Sequence, residues 1–235
     1  MARRVEEPIR ALPEDPLAAL QFAVTTRRHF QQAELRLANQ IWALQHPGGR
    51  KGDPTKFGTQ SGTVADSPVI AELTVHLKAI ATKRRHWEKI AATLAKEHSL
   101  WPWAEAIRGL GPLSFGQMVA EAGDLTRLDN PAKLWKRMGL AVMDGKAQRR
   151  LRGAQGVEHG FSPRRRAVMA VIADNLVRLN KDGYRTLYVE RKAYEAEKNS
   201  ELKLIHRDKR AKRYMAKRLL KDFWTASRGS ALPNL

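Results

Sequence analysis

Residues 101–152 read WPWAEAIRGLGPLSFGQMVAEAGDLTRLDNPAKLWKRMGLAVMDGKAQRRLR, and the rest of the chain is organised around them. Their centre, Ile107-Arg108-Gly109-Leu110-Gly111-Pro112, joins two amphipathic segments, Trp101–Arg108 and Leu113–Ala122. A Gly-X-Gly turn bends sharply, because glycine tolerates positive φ and has no Cβ to block a close neighbour. The N–H groups opening the second segment lack intrahelical partners and are free to meet a phosphate. Two helices hinged in this way can hold a nucleic-acid backbone without reading bases. Arg108, Gly109 and Gly111 are therefore candidate backbone contacts, with close helix packing as the other use of the two glycines.

The composition agrees with a polyanion as partner. The chain has 235 residues and a net charge of +19. Such a balance points to nucleic acid, with an acidic membrane surface as the competitor. Residues 101–235 hold 28 Lys and Arg against 14 Asp and Glu, and residues 1–100 hold 15 against 10. The second half is where a polyanion is expected to bind. No apolar run is long enough to span a bilayer, and no signal peptide opens the chain. The absence of cysteine excludes disulfides and thiolate chemistry and fits a reducing cytoplasm.

Upstream, residues 1–15 read as a flexible arm. Asp15-Pro16 pairs an N-cap side chain with proline at the first helical position, and predicts a helix to His46. Its stripes are Leu17, Leu20 and Val24, then Phe30, Ala33, Leu37, Ile41 and Leu44. A Gly-, Pro- and Ser-rich stretch at about 47–68 predicts a mobile loop. Ser67-Pro68 then opens a second long helix, with Ile70, Leu73, Leu77, Ile80, Trp87, Ala91 and Leu94 on heptad steps and Arg84 in the one polar slot. Residues 16–100 thus predict a long antiparallel coiled-coil hairpin, able to serve as a dimerisation arm. Trp101 and Trp103, at the boundary, read as packing anchors before base-stacking platforms.

Downstream, residues 101–235 predict a compact basic helical domain. Asn130-Pro131 opens a helix carrying Lys133 and Arg137. An irregular basic segment from Met143 to Phe161 contains Lys146, Arg149, Arg150 and Arg152. Ser162-Pro163 opens a helix with Arg164, Arg165 and Arg166 in its first turn and a stripe of Val168, Val171, Ile172, Leu176 and Leu179. Cations there oppose the helix dipole, which predicts a compensating anion. A last helix over 202–226 packs Ala211, Met215, Leu219, Leu220 and Phe223. It projects Arg207, Lys209, Arg210, Lys212, Arg213, Lys217 and Arg218 elsewhere, with Asp208 the only acid between Lys203 and Lys221. Strand signals of comparable strength are missing, so the class is all-α.

Catalytic patterns are mostly absent. Glu105, Glu121, Asp124, Asp129 and Asp144 are not paired at metal-binding spacing, and no His-x-x-x-His pair occurs. Gly109-Leu110-Gly111 lacks the third glycine and the preceding strand of a dinucleotide fingerprint. Ser114 and Ser162 are nucleophiles by residue type, with no base placed for either. The expectation is a non-enzyme without metal or cofactor.

Three blocks, Ile107–Leu140, the Phe161–Leu176 helix and Ala211–Arg228, share an order with a known family. The Ile-x-Gly-Leu-Gly-Pro turn, Glu121-Ala122-Gly123-Asp124, Pro131…Leu134…Gly139-Leu140 and Lys217…Leu220…Trp224 together resemble the C-terminal half of bridge-RNA-guided insertion-sequence transposases. The acidic nuclease half of that family is absent. Where its serine is expected, the chain reads Met143-Asp144-Gly145-Lys146, with Asp144 at the serine position. A coiled-coil hairpin followed by such a half also resembles the Nop domain of box C/D ribonucleoproteins. It is similar as well to the nuclease-less Tas proteins of tandem interspaced guide RNA systems.

That resemblance implies a non-catalytic homodimer, in the cytoplasm of a prokaryotic or phage-infected cell. It would bind a small guide RNA, find target DNA through base pairing, and leave open a separate nuclease. Two alternatives stand beside it. One is a transposase or recombinase using Ser114 or Ser162, and the other a sequence-neutral DNA-binding structural protein. In the leading reading RNA is gripped by its phosphates and shape.

Overall fold

A computed structural model describes residues 12–46, 67–181 and 183–229. The expected arm falls mostly, and the expected 47–68 loop almost wholly, outside these residues. Helix α1 spans Pro16–Gln45, α2 Pro68–Glu97, α3 Trp101–Glu105, α4 Pro112–Ala122 and α5 Pro131–Arg137. Strands β1, Val142–Met143, and β2, Lys146–Ala147, follow, then α6 Gly153–His159, α7 Pro163–Leu179, α8 Tyr184–Lys198 and α9 Leu204–Ala226. The class is all-α. The chain divides into two compact units, one from Phe22 to Ala91, the other from residues 1–21 together with Ala92–Leu235.

In the Phe22–Ala91 unit, α1 and α2 meet side chain to side chain in opposite chain directions. Arg27 pairs with Glu88 at 2.8 Å and Arg84 with Glu34 at 2.5 Å, while Arg84 also reaches Glu88 at 2.7 Å. Phe22 and Trp87 meet edge to face. Arg84, the polar slot of the heptad pattern, is therefore the hub of an ion-pair network. Buried apolar side chains are few here: Ala23, Val24, Ile41, Ile70, Ala81 and Ala91. Leu44, placed on the buried stripe by periodicity, is exposed.

The larger unit owes its core to helices whose starts are written in the sequence. Asn130 accepts from the Lys133 N–H at 3.1 Å and Ser162 Oγ from the Arg165 N–H at 3.4 Å, each just before a proline at the first helical position. Phe115 of α4 meets His98 and Phe223 of α9 edge to face and Trp101 at a tilt, and Phe223 in turn stacks on Trp103. Both tryptophans are thus packing anchors. Around them Met118, Leu134, Met138, Met169, Ile172, Leu176, Met215, Leu219 and Leu220 are buried. At 25 cal/mol per Å², each fully buried side chain of this kind contributes about 1.5–3 kcal/mol.

Three expectations change. In α7 the buried face is Met169, Ile172, Ala173 and Leu176, while Val171 and Leu179 point outward, 55% and 48% exposed. The segment 143–161 is not irregular: it holds an antiparallel β1–β2 pairing and helix α6. Helix α8, for which periodicity gave no sign, packs along α9 and buries Tyr184, Tyr188 and Glu195.

Candidate nucleic-acid interface

The Gly-X-Gly turn lies between α3 and α4. Gly109 has φ +99°, and a Cβ there would sit 3.1 Å from the Asn175 carbonyl and 3.2 Å from Leu179 Cβ. Its glycine is required by close approach of α7. Asn180 ties the same corner by donating to the Arg108 carbonyl at 3.1 Å. Gly111 is extended, at φ −69°, and a Cβ there would meet nothing within 4 Å. Arg108 itself is exposed. The turn organises the fold.

The arginines that open α7 also have a structural employment. The compensating anion they required is Glu121, on the last turn of α4 and only 3% exposed. Arg164 pairs closely with one of its oxygens, and Arg165 lies 3.6 Å from the other. Arg137 donates to the Glu121 carbonyl at 3.2 Å; burial and then Arg165 push its guanidinium down from the ordinary arginine value. Arg166 donates to the Gln148 carbonyl at 2.9 Å and lies over the Phe161 ring. The anion expected beside Arg164 and Arg165 is thus supplied within the fold by Glu121. Lys133 pairs with Asp129.

On α9 the cations separate into two groups. Arg207 donates to the carbonyls of Leu202 and Ser200, and Lys212 pairs with Asp174 at 2.9 Å and Asp208 at 3.0 Å. These two hold the fold together. Arg213, Lys217 and, one turn earlier, Arg210 instead face a cleft of about 520 Å³ whose far wall is the β1–β2 hairpin. Val142, Gly145, Lys146 and Ala147 come from the hairpin, Arg191 and Glu195 from α8, and Tyr214 from α9.

The hairpin is built to present Lys146. Val142 pairs with Ala147 and Met143 with Lys146, leaving Asp144-Gly145 as a two-residue loop with φ of +51° and +71°. Positive φ at both central residues is what a type I′ turn demands, and Asp-Gly supplies it. Asp144 is thereby accounted for as a turn residue.

Within the cleft, the buried Glu195 accepts from Arg191 at 2.8 and 2.6 Å, from Asn199 at 2.8 Å and from Arg210 at 3.2 Å. Burial alone would raise its carboxyl; the hydrogen bonds from Arg191 and Arg210 win and hold it below the ordinary glutamate value. Arg191 and Arg210 are thus compensated. Lys146, Arg213 and Lys217 have no carboxylate within ion-pair distance among the described residues. Burial, then the neighbouring Arg166 and Arg210, pushes the Arg213 guanidinium down. Burial, then Arg213, does the same to the Lys217 ammonium. Half-buried cations beside like charges are costly unless an anion joins them.

Of the residues that sequence reasoning named, Lys146, Arg210, Arg213 and Lys217 line this cleft and Arg218 lines the adjoining one. Arg149, Arg150 and Arg152 are exposed on the strand-to-α6 connection, and Lys209 lines another cleft, which Arg213 also borders. Sequence reasoning missed Arg191, Tyr214 and Trp135. The step Tyr184, Tyr188, Arg191, Glu195 is a helical 4-3-4 spacing that was available as a signal.

No group of three or more His, Asp or Glu able to hold a metal occurs among the described residues, and no described helix is long and apolar enough to cross a membrane. No protein-family model, curated protein or solved structure matches the chain.

Proposed function

We propose that this protein belongs to the class of basic all-α nucleic-acid binders that act without chemistry of their own. More particularly, it is a guide-RNA-binding protein whose ribonucleoprotein finds DNA by base pairing, working as a homodimer in a prokaryotic or phage-infected cytoplasm. The observation that carries the reading is that Lys146, Arg213 and Lys217, without a carboxylate in ion-pair distance among the described residues, line one cleft. Phosphate is the anion that meets several cations at once and tolerates partial exposure. The finer reading, guide RNA in place of nucleic acid at large, rests on the resemblance carried by Ile107–Leu140, Phe161–Leu176 and Ala211–Arg228.

Among the described residues no side-chain base is hydrogen-bonded to Ser114 or Ser162, and Ser162 serves as the cap of α7. Sequencing the RNA that accompanies the protein from cells tests the proposal. A discrete small RNA encoded near the gene is expected. Purification free of RNA, with equal affinity for random duplex DNA, would leave the sequence-neutral DNA binder as the better reading.

A further inference from the structure

The basic cleft has a neighbour that the phosphate argument does not use. A second cleft of about 500 Å³ is lined by Asn130, Pro131, Ala132 and Trp135 of the α5 start, and by Tyr214, Lys217, Arg218 and Lys221 of α9. Tyr214 and Lys217 line both clefts, so the two adjoin along α9. Volumes of this size are those of small-ligand pockets.

The rings in this second cleft are fixed and electron-rich. Trp135 Nε1 donates to the Lys217 carbonyl at 3.0 Å, which sets the plane of the indole. Lys217 Nζ lies 4.5 Å from the Trp135 ring centroid. Tyr214 has the Arg191 guanidinium at 5.1 Å and that of Arg218 at 5.8 Å from its centroid. Neither ring is buried. A core tryptophan would be covered by apolar side chains, as Trp101 and Trp103 are partnered by phenylalanines. Trp135 and Tyr214 instead border a cleft whose other walls are cations and small residues. Aromatic faces interleaved with Lys and Arg are the surface on which unpaired bases stack while their phosphates are neutralised. A paired base cannot offer its face to such a site, so duplex is disfavoured.

We propose that the two clefts flanking Lys217 form one binding site for an unpaired nucleotide of the bound RNA, its base against Trp135 and Tyr214 and its phosphates against Arg213, Lys217 and Lys146. This deepens, and rests on, the RNA-binding reading. Lys217 is the pivot, since its ammonium lies over the indole and its side chain lines both clefts. The site is tolerant of base identity, because every base has a π-face and no side-chain amide or carboxylate of the second cleft beyond Asn130 can read an edge.

The test uses the full chain, freed of cellular RNA at high salt, and a short unpaired RNA carrying one 2-aminopurine. Stacking quenches that base. Quenching on binding is expected, with duplex RNA of the same sequence giving none. Tyr214→Ala and Trp135→Ala are expected to weaken binding about 5- to 100-fold and to abolish quenching, while Trp135→Phe restores both. Arg213→Gln and Lys217→Gln are expected to reduce the slope of log affinity against log salt by about 0.7 each. A shared circular-dichroism spectrum and melting midpoint establish that each variant folds; Tyr214→Ala, outside the core, decides the matter if Trp135→Ala does not.

Binding by the wild type without quenching, unchanged in both aromatic variants, overturns this site and leaves the RNA-binding reading standing. Equal affinity and quenching for the same unpaired strand as DNA overturns its assignment to RNA. Failure of the wild type to bind any RNA overturns both.

Discussion

Arg84, in the middle of the α1–α2 seam, and Arg213, in the middle of α9, are both half-buried arginines, yet their surroundings pull them in opposite directions. The hydrogen bond to Glu34, working against burial and helped by Glu88, raises the Arg84 guanidinium above the ordinary value. Arg213 is lowered by burial and by Arg166 and Arg210. In the Phe22–Ala91 unit the seam arginines Arg27 and Arg84 thus close on Glu34 and Glu88, whereas Arg213 of the larger unit has no carboxylate within ion-pair distance among the described residues. Net charge alone cannot make this distinction. It separates cations with a carboxylate partner from cations without one among the described residues.

The largest expected effect comes from treating the two groups alike. If the Glu121 pairing is structural, Arg164→Ala with Arg165→Ala leaves a buried carboxylate alone and costs about 3–5 kcal/mol of stability. Urea unfolding measures this. Arg213→Gln with Lys217→Gln removes like-charge repulsion and is expected to leave the unfolding midpoint unchanged or higher, while RNA affinity falls. If both pairs of substitutions lowered affinity alone, the comparison between the two groups would fail.

A smaller and pH-dependent effect tests Glu195. Its carboxyl is held below the ordinary value of 4.5, so its contribution is fully present above that pH and is lost as pH falls through the lowered value. Glu88, lowered by Arg27 and Arg84 against burial, behaves likewise in the other unit. Asp222 has the opposite sign: burial raises its carboxyl, so its contribution is present at low pH and lost as pH rises through the raised value. Glu195→Gln is expected to cost about 2 kcal/mol at neutral pH and much less in acid, where the wild type has lost the same contribution. Thermal melts at both pH values check it; an equal cost at both breaks the argument.

Arg84→Met sharpens the contrast from the hairpin side. With its partners only partly exposed, the loss is expected at about 1–2 kcal/mol, between the exposed and buried limits. RNA affinity is expected to be unchanged, because this charge is already balanced.

How much of this was written in the sequence depends on what kind of side chain a helix buries. The buried face of α9 (Ala211, Met215, Leu219, Leu220, Phe223) is apolar on a 3.6-residue period, and its five members are all buried. The prolines and caps at Ser67, Asn130 and Ser162 place three helix starts by local chemistry alone. Helix α8 escaped because it buries two tyrosines and a glutamate, residues that a hydrophobic pattern counts as polar or marginal. They are buried only because α9 answers them, Asp222 accepting from Tyr184 at 2.8 Å and Asp208 from Tyr188 at 2.6 Å. For the same reason the list of basic residues was legible and its division was not. Whether Arg164 or Arg213 has a carboxylate is settled by α4 and α8, elements distant in sequence.

Asp144 offers the smallest effect and the sharpest separation of two explanations. The resemblance to the transposase pattern would have it stand for a serine nucleophile, and the structure puts it at φ +51° in a two-residue hairpin loop. The loop geometry alone accounts for Asp, since Asp, Asn and Gly accept the left-handed region and most residues resist it. Asp144→Asn and Asp144→Gly are therefore expected to leave stability within experimental error, and Asp144→Ala to cost about 0.5–1 kcal/mol. The carboxylate has no part in this, so removing it by Asp144→Asn should also leave RNA affinity unchanged. Asp144→Ala should weaken RNA binding slightly, by loosening the strand that carries Lys146 to the cleft. A large loss of affinity in Asp144→Asn, with the hairpin intact, would mean that the carboxylate acts at the bound strand, and that this unit does not present cations alone.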